Sequence, residues 1–341
     1  MQILVARGVT LTDSQIEGVS FAAPESVVGS LILDNNEKVV RYPSEWLTTL
    51  SESSSIAYTT ATTYARNLSY FIEFLGNRPE NIGLTPDEML LKVNRSILED
   101  WILSEQKASK LDRSTIRNRE ACVRSFYDYL VNGEYNEALL ERHPFPRRFL
   151  SAKPHVKQVV SASLGDLVAL MSQAKYERER LLLQFMYDSG VRISEVERVC
   201  YGDIQKAIKF SNCEFISSKS DHPVCAGYAP IIIQGAKGRG NSIKERFAIV
   251  TAPTLKRIAS YHASPLYKRY QVKYQERSNC PAFLNSEGNA YNARSISKLI
   301  ERLSEKAKKK GAISKNVHAH LFRTQILVPI FLNEWLMYRR H

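Results

Sequence analysis

"SGVRISEVERVCYGDI", residues 189–204, is the stretch on which the reading of the chain turns. It follows "RERLLLQFMYD", an apolar run long enough to be a buried helix, and Gly190 then punctuates it. Ser194 and Glu197 stand at capping-box spacing, so a second helix is expected to begin near Ser194. Arg192 would sit just ahead of that start, where unpaired backbone N–H groups and the helix dipole favour an anion. An arginine beside a helix start is also an ordinary surface residue, and this stretch alone does not decide between the two.

Downstream, "YAPIIIQGAKGRGNSIKERFAIVT" places two β-rich runs, 228–234 and 243–250, around a glycine-rich turn, the pattern of a hairpin. Lys237 and Arg239 lie at its tip, with Lys244 and Arg246 on the return strand. A lysine on such a tip can reach a groove; an exposed basic edge that discourages sheet aggregation accounts for the same residues. "SISKLIERLSEKAKKKGA" predicts an amphipathic helix with a basic end, and "VHAHLFRTQ" follows it.

Upstream, Tyr64, Leu68, Phe71 and Leu75 repeat on one helical face that Gly76 and Pro79 end. In "DRSTIRNREACVRSFYDYLV" an apolar stripe of Ile116, Val123, Phe126, Tyr127 and Leu130 runs beside Arg113, Arg117 and Arg124. Three arginines on one face suit DNA phosphates, and a solvated charged face explains them equally. "ERHPFPRRFLSAKPHVKQVVS" has Pro144, Pro146 and Pro154, basic residues that include Arg147 and Arg148, and no sustained period, which marks a linker. The first 45 residues hold "SVVGSLILD" and "KVVRYP", read as short strands around the polar "DNNE". The expected division is therefore an appended segment 1–45, a helical domain 46–145, a basic linker 146–160 and a second domain 161–341.

Composition narrows the partner. Lys and Arg outnumber Asp and Glu by 47 to 35, a net charge of +12, and 44% hydrophobic content suffices for packed cores. Residues 1–50 are acidic on balance, so the surplus lies in the rest, and nucleic acid is the leading polyanion. Five cysteines form no CxxC, which fits reduced thiols in a cytoplasmic protein. Cys213, His222 and Cys225 are irregularly spaced and want a fourth ligand, so no metal is expected. No apolar run approaches membrane length, and no signal-peptide pattern opens the chain.

Three of these segments carry a resemblance. "SGVRISEVERVCYGDI" resembles the first Arg box of the tyrosine recombinase (phage integrase) family, "GAKGRGNSIKER" is similar to its hairpin lysine box, and "HAHLFR" resembles its His-x-x-Arg box. Order and approximate spacing both match, over residues from about 46 to 325. The resemblance implies a mainly α fold with a small antiparallel sheet (α+β): a helical SAM-like core-binding domain that clamps DNA, followed by the recombinase catalytic domain. It implies that Arg192 and Arg323 clamp the scissile phosphate and that His320 assists proton transfer. Lys237 would then be the general acid for the departing 5′-hydroxyl, with Lys244 as its substitute, and Glu195 would orient the Arg192 region. Arg113, Arg117, Arg124, Arg147, Arg148, Arg239 and Lys244 would contact DNA. The chemistry agrees, because a pentacoordinate phosphorane concentrates charge on oxygens that two guanidinium forks can bind. A tyrosine nucleophile would store the bond energy as a 3′-phosphotyrosyl intermediate, with no metal or cofactor. Implied partners are double-stranded DNA with inverted-repeat sites and further copies of the chain, up to a tetramer on DNA.

The pattern departs from the family at its end. Thr324 stands where His or Lys usually follows the second Arg, and the expected Leu-Gly-His type box and later tyrosine are not found. Tyr338 is the only tyrosine after the third box, about 22 Å beyond Arg323 if the intervening chain is helical. The expectation is a C-terminally incomplete catalytic domain that binds DNA and cleaves it poorly or not at all; a rearranged tail would instead make Tyr338 the nucleophile. Three functions are carried forward: a site-specific integrase or recombinase of a phage or transposon, a catalytically impaired relative that occupies recombination sites, and an RNA-binding or scaffolding protein.

Overall fold

The computed structural model describes residues 1–9, 27–53, 55–108, 111–132, 138–155, 161–211, 227–237 and 243–324. These fall into two compact units, one from residues up to His155 and the other from Ser161 onward. Both are mainly helical, and each carries one antiparallel strand pair. Among the described residues no helix is long and apolar enough to cross a membrane.

In the first unit β1 (Gln2–Val9) pairs with β2 (Val27–Leu33), Gln2 opposite Leu33 and Val5 opposite Ser30. Five helices follow: α1 (Arg41–Glu52), α2 (Tyr58–Gly76), α3 (Pro86–Leu91), α4 (Arg95–Ala108) and α5 (Arg113–Asn132). The strand partner expected at Lys38–Pro43 is a helix start instead. Only Val39 bridges to Leu33, and the backbone N–H groups of Arg41 and Tyr42 donate to the Asp87 carboxylate of α3, each at 2.9 Å. Pro43 is tolerated because the first helical turn has no intrahelical use for its N–H. Strand β2 packs on α1 and α2, and β1 also touches α2, so the described residues of this strand pair lie against the helices of the first unit.

The α2 stripe is confirmed, with Leu68, Phe71 and Leu75 fully buried and the helix ending at Gly76. Trp46 stacks on Tyr64 at 5.6 Å between ring centroids and meets Phe126 edge-on, while Phe71 lies 4.7 Å from Trp101. Aromatic pairs in these geometries add to what burial alone contributes. Tyr127, fully buried, donates its hydroxyl to the Leu90 carbonyl, which fixes α5 against α3.

The second unit begins with α6 (Leu164–Gln173), opened by a Ser163/Asp166 capping box, and α7 (Glu177–Ser189). Gly190 ends α7 in the left-handed region, φ 58°, the conformation that favours glycine at this position. Then come α8 (Ile193–Val196), α9 (Tyr201–Ser211), the β3 (Tyr228–Lys237) and β4 (Ile243–Thr251) hairpin, α10 (Ala252–Ala263), α11 (Pro265–Gln271) and α12 (Ala293–Lys309). Helix α12 buries Ile296, Leu299, Ile300, Leu303 and Ala307 and ends in Lys306, Lys308 and Lys309, as its sequence pattern predicts. A 3-10 turn at Ala319–Thr324 packs on α7 and α12, anchored by the buried Phe322 against Tyr187.

Candidate active site

The Arg192 turn is organised around one buried carboxylate. Glu195 is 1% exposed, and its oxygens accept the Arg192 backbone N–H at 2.8 Å and the Arg192 Nη1 at 2.6 Å. Arg246 of β4 closes the other side as a fork, Nε to Oε1 at 3.1 Å and Nη2 to Oε2 at 2.5 Å. Burial on its own would raise the pKa of this carboxyl; the Arg246 fork and the two Arg192 donors outweigh it and hold the group at about 2. The group that begins α8 is therefore Glu195 folded back onto Arg192, not the Ser194/Glu197 box expected from spacing. The helix starts one residue earlier and runs for one turn, so its dipole adds little and the positive charge here is the guanidinium itself. Arg192 keeps 34% of its side chain exposed, and the bond to Glu195 uses one of its five donors.

Helix α8 packs on β3 and on α12, and α12 also touches the 3-10 turn that carries His320. His320 is exposed there. Three residues per 3-10 turn set backbone position 323 over position 320, while Phe322 faces the core. Lys237 is the last residue of β3, paired with Ile243, and Lys244 pairs with Ala236. The side chains of Lys237, Lys244 and Arg323 lie outside what the structure describes, as do Arg239, Tyr338 and the Cys213, His222 and Cys225 trio. Among the described residues no cluster of His, Cys, Asp and Glu could hold a metal ion.

The arginines of α5 are used differently from one another. Arg113 is exposed. Arg124 spends its guanidinium on its own chain: Nη1 donates to the Pro146 carbonyl at 2.7 Å, Nη2 to that of Arg148 at 2.9 Å, and the Phe145 and Phe149 rings lie under it at 4.8 and 4.9 Å. Arg117 donates to the Ser151 carbonyl and sits 4.0 Å over Phe149. These two therefore hold residues 145–151 against α5 instead of standing open to phosphate. Glu120, fully buried, completes the attachment by accepting the N–H groups of Leu150 at 2.6 Å and Ser151 at 2.8 Å. The segment read as a linker is, through residue 151, a strap docked on α5 that leaves Arg147 and Arg148 exposed. Glu120→Gln loses charge and one acceptor, so we expect a loss of about 1–3 kcal/mol from the first unit. Faster tryptic cleavage at Arg147 and Arg148 would report it.

Comparison with known proteins bears on both units. A model of the phage integrase N-terminal SAM-like domain matches residues 44–134. Tyrosine recombinase XerC of Pelotomaculum thermopropionicum is 24% identical over 277 residues, covering 79% of this chain and 78% of that protein. XerC of Listeria monocytogenes is 22% identical over 293 residues, covering 83% and 82%. The likeness to tyrosine recombinases thus extends over about four fifths of the chain. Its fold is shared with the Tn1549 transposon integrase solved in complex with transposon right end DNA, TM-score 0.58 at 14% identity, over 86% of this chain and 87% of that one. It is shared also with the XerH site-specific recombinase bound to difH substrate, TM-score 0.52 at 17% identity, over 81% and 70%.

Two residues that tie the hairpin to the Arg192 turn were not among the expected site residues. Arg246 is in phase with the core-facing Ala248 and Val250 and pairs across the hairpin with the buried Ile233. A charged residue on the core side of a strand needs a buried partner, and that phase was the available signal. Arg198, whose Nη1 donates to the Gly235 carbonyl at 2.6 Å, gave no signal, because the contact depends on a distant backbone carbonyl.

Proposed function

We propose that this chain breaks and rejoins DNA at inverted-repeat sites through a 3′-phosphotyrosyl intermediate, in the cytoplasm and on behalf of a phage or transposon. The observation that carries the reading is Arg192, held by the buried Glu195 while keeping one edge in solvent, in a chain similar to tyrosine recombinases. In this reading Arg192 and Arg323 bind the non-bridging oxygens of the scissile phosphate and His320 assists proton movement. Lys237, or Lys244 in a shifted register, protonates the leaving 5′-oxygen. Preorganisation is the source of rate: a guanidinium already fixed by Glu195 need not reorganise as charge develops. The helical first unit grips duplex DNA through Arg113, Arg147 and Arg148, Arg239 adds a phosphate contact, and copies assemble on paired sites up to a tetramer. DNA complexes reported for the XerH recombinase and the Tn1549 integrase support duplex DNA as the substrate.

The test is a nicked inverted-repeat duplex that traps the covalent intermediate. Expected are preference for that duplex over random DNA, affinity that falls steeply with salt, and a protein–DNA adduct stable to detergent. Peptide mapping of the adduct names the nucleophile, with Tyr338→Phe as the direct check on that residue. Site-selective binding with no adduct would leave the site-occupying reading, and equal binding to random DNA or RNA would overturn both.

A further inference from the structure

The β3–β4 hairpin is joined to the Arg192 turn at two points, one on each strand. On β4, Arg246 forks the Glu195 carboxylate. On β3, the Gly235 carbonyl accepts from Arg198, two residues beyond the end of α8. The second contact sits at an irregularity: the pairing register shifts between Ile233 and Ala236, and Gly235 has φ +88°. Such a shift re-aims every residue that follows it on the strand. Lys237 is two residues beyond Gly235. The backbone conformation favours glycine here, and a Cβ at position 235 would fall inside the Arg198 guanidinium and displace it.

We propose that Arg198 and Gly235 form a positioning pair that fixes the register of β3 beyond its bulge, and so presents the hairpin lysine to the leaving 5′-oxygen. This rests on the strand-cleavage reading above. In that step the tyrosine oxygen bonds to phosphorus as its hydroxyl proton passes to His320, the bond from phosphorus to the 5′-oxygen breaks, and the lysine ammonium gives its proton to that oxygen. Arg198 touches no reacting atom; it acts through the strand. Arg246 holds the return strand to the same turn, so the lysine and the Arg192 clamp share one support.

A bridging 5′-phosphorothiolate substrate separates this role from general damage, because a thiolate leaves without needing a proton. Arg198→Met and Gly235→Ala are expected to cleave the nicked oxygen substrate roughly 30- to 100-fold more slowly than the unaltered chain, a large share of what a general acid contributes. On the sulfur substrate both should come within about 3-fold of it, since the acid is then dispensable. Arg198→Lys, which keeps a donor for the carbonyl, should recover part of the oxygen rate. Equal losses on both substrates would overturn the proposal.

If the unaltered chain cleaves neither substrate, the strand-cleavage reading fails and the positioning pair is judged by amide hydrogen exchange in the free protein. Arg198→Met should then speed exchange at Ala236 and Lys237 about tenfold while leaving Ile231 and Val250 unchanged, the mark of local opening. Unchanged exchange beyond the bulge would overturn the pair whatever the chain does to DNA.

Discussion

Glu195→Ala is expected to cost the second unit about 3–5 kcal/mol at neutral pH, the range for breaking a buried ion pair by removing one partner. The carboxylate is almost wholly buried and satisfies two arginines, and alanine would leave both partly buried guanidinium groups without their counter-charge. Glu195→Gln should cost less, since an amide oxygen still accepts one bond, but it cannot serve both forks. Urea titration of the two variants gives the comparison. The pH dependence supplies a second, independent reading. The carboxyl is held at about 2 in the folded chain against an ordinary 4.5, so its stabilisation is complete above about 4.5 and disappears as pH falls through 2. That displacement corresponds to about 3 kcal/mol, which agrees with the mutational range. Buried His262 acts in a separate window: burial lowers it to about 4, so stability is lost as pH falls from about 6.5 toward 4. Glu195→Ala should abolish the limb below about 4.5 and leave the His262 limb intact. A variant that kept the full acid limb would show that Glu195 is not the group responsible.

Legibility in the sequence followed the range of each interaction. Helices α2, α5 and α12 were readable because their apolar stripes repeat within the helix, and the hairpin because two β-rich runs flank glycines. The partner of β2 was misread: Lys38–Pro43 was adjacent and apolar, whereas β1 lies far upstream and the Asp87 cap that makes Arg41–Pro43 helical comes from α3. The helix start near Ser194 was legible, but its capping carboxylate was not, for a related reason. Glu195 and Glu197 are both spaced to cap, and only the approach of Arg246 from β4 decides which carboxylate turns inward. Arg117 and Arg124 show the limit of a charge stripe. Sequence locates the face, but the strap that covers it is brought there by Glu120 and two phenylalanine rings. The local frame of the site was thus visible, and the long-range contacts that complete its geometry, Arg246 to Glu195 and Arg198 to Gly235, were not.

Arg192→Ala is expected to slow strand cleavage by about 10²–10³, the usual cost of removing one preorganised donor to a developing oxyanion. DNA affinity should change far less, because one phosphate contact among many adds only about one to the slope of affinity against salt. The fold should survive, since Glu195 keeps its fork from Arg246 when Arg192 is cut back. Arg192→Lys is the sharper variant. It retains the charge, but an ammonium is a point donor and cannot satisfy Glu195 and two phosphate oxygens in one plane, so it should recover little of the rate. Single-turnover cleavage of a nicked duplex, set beside gel-shift affinity over a range of salt, separates the two effects. A loss of affinity as large as the loss of rate would make Arg192 a ground-state phosphate contact. A loss of rate alone would mean that the energy spent burying Glu195 is recovered only when charge builds on the phosphate.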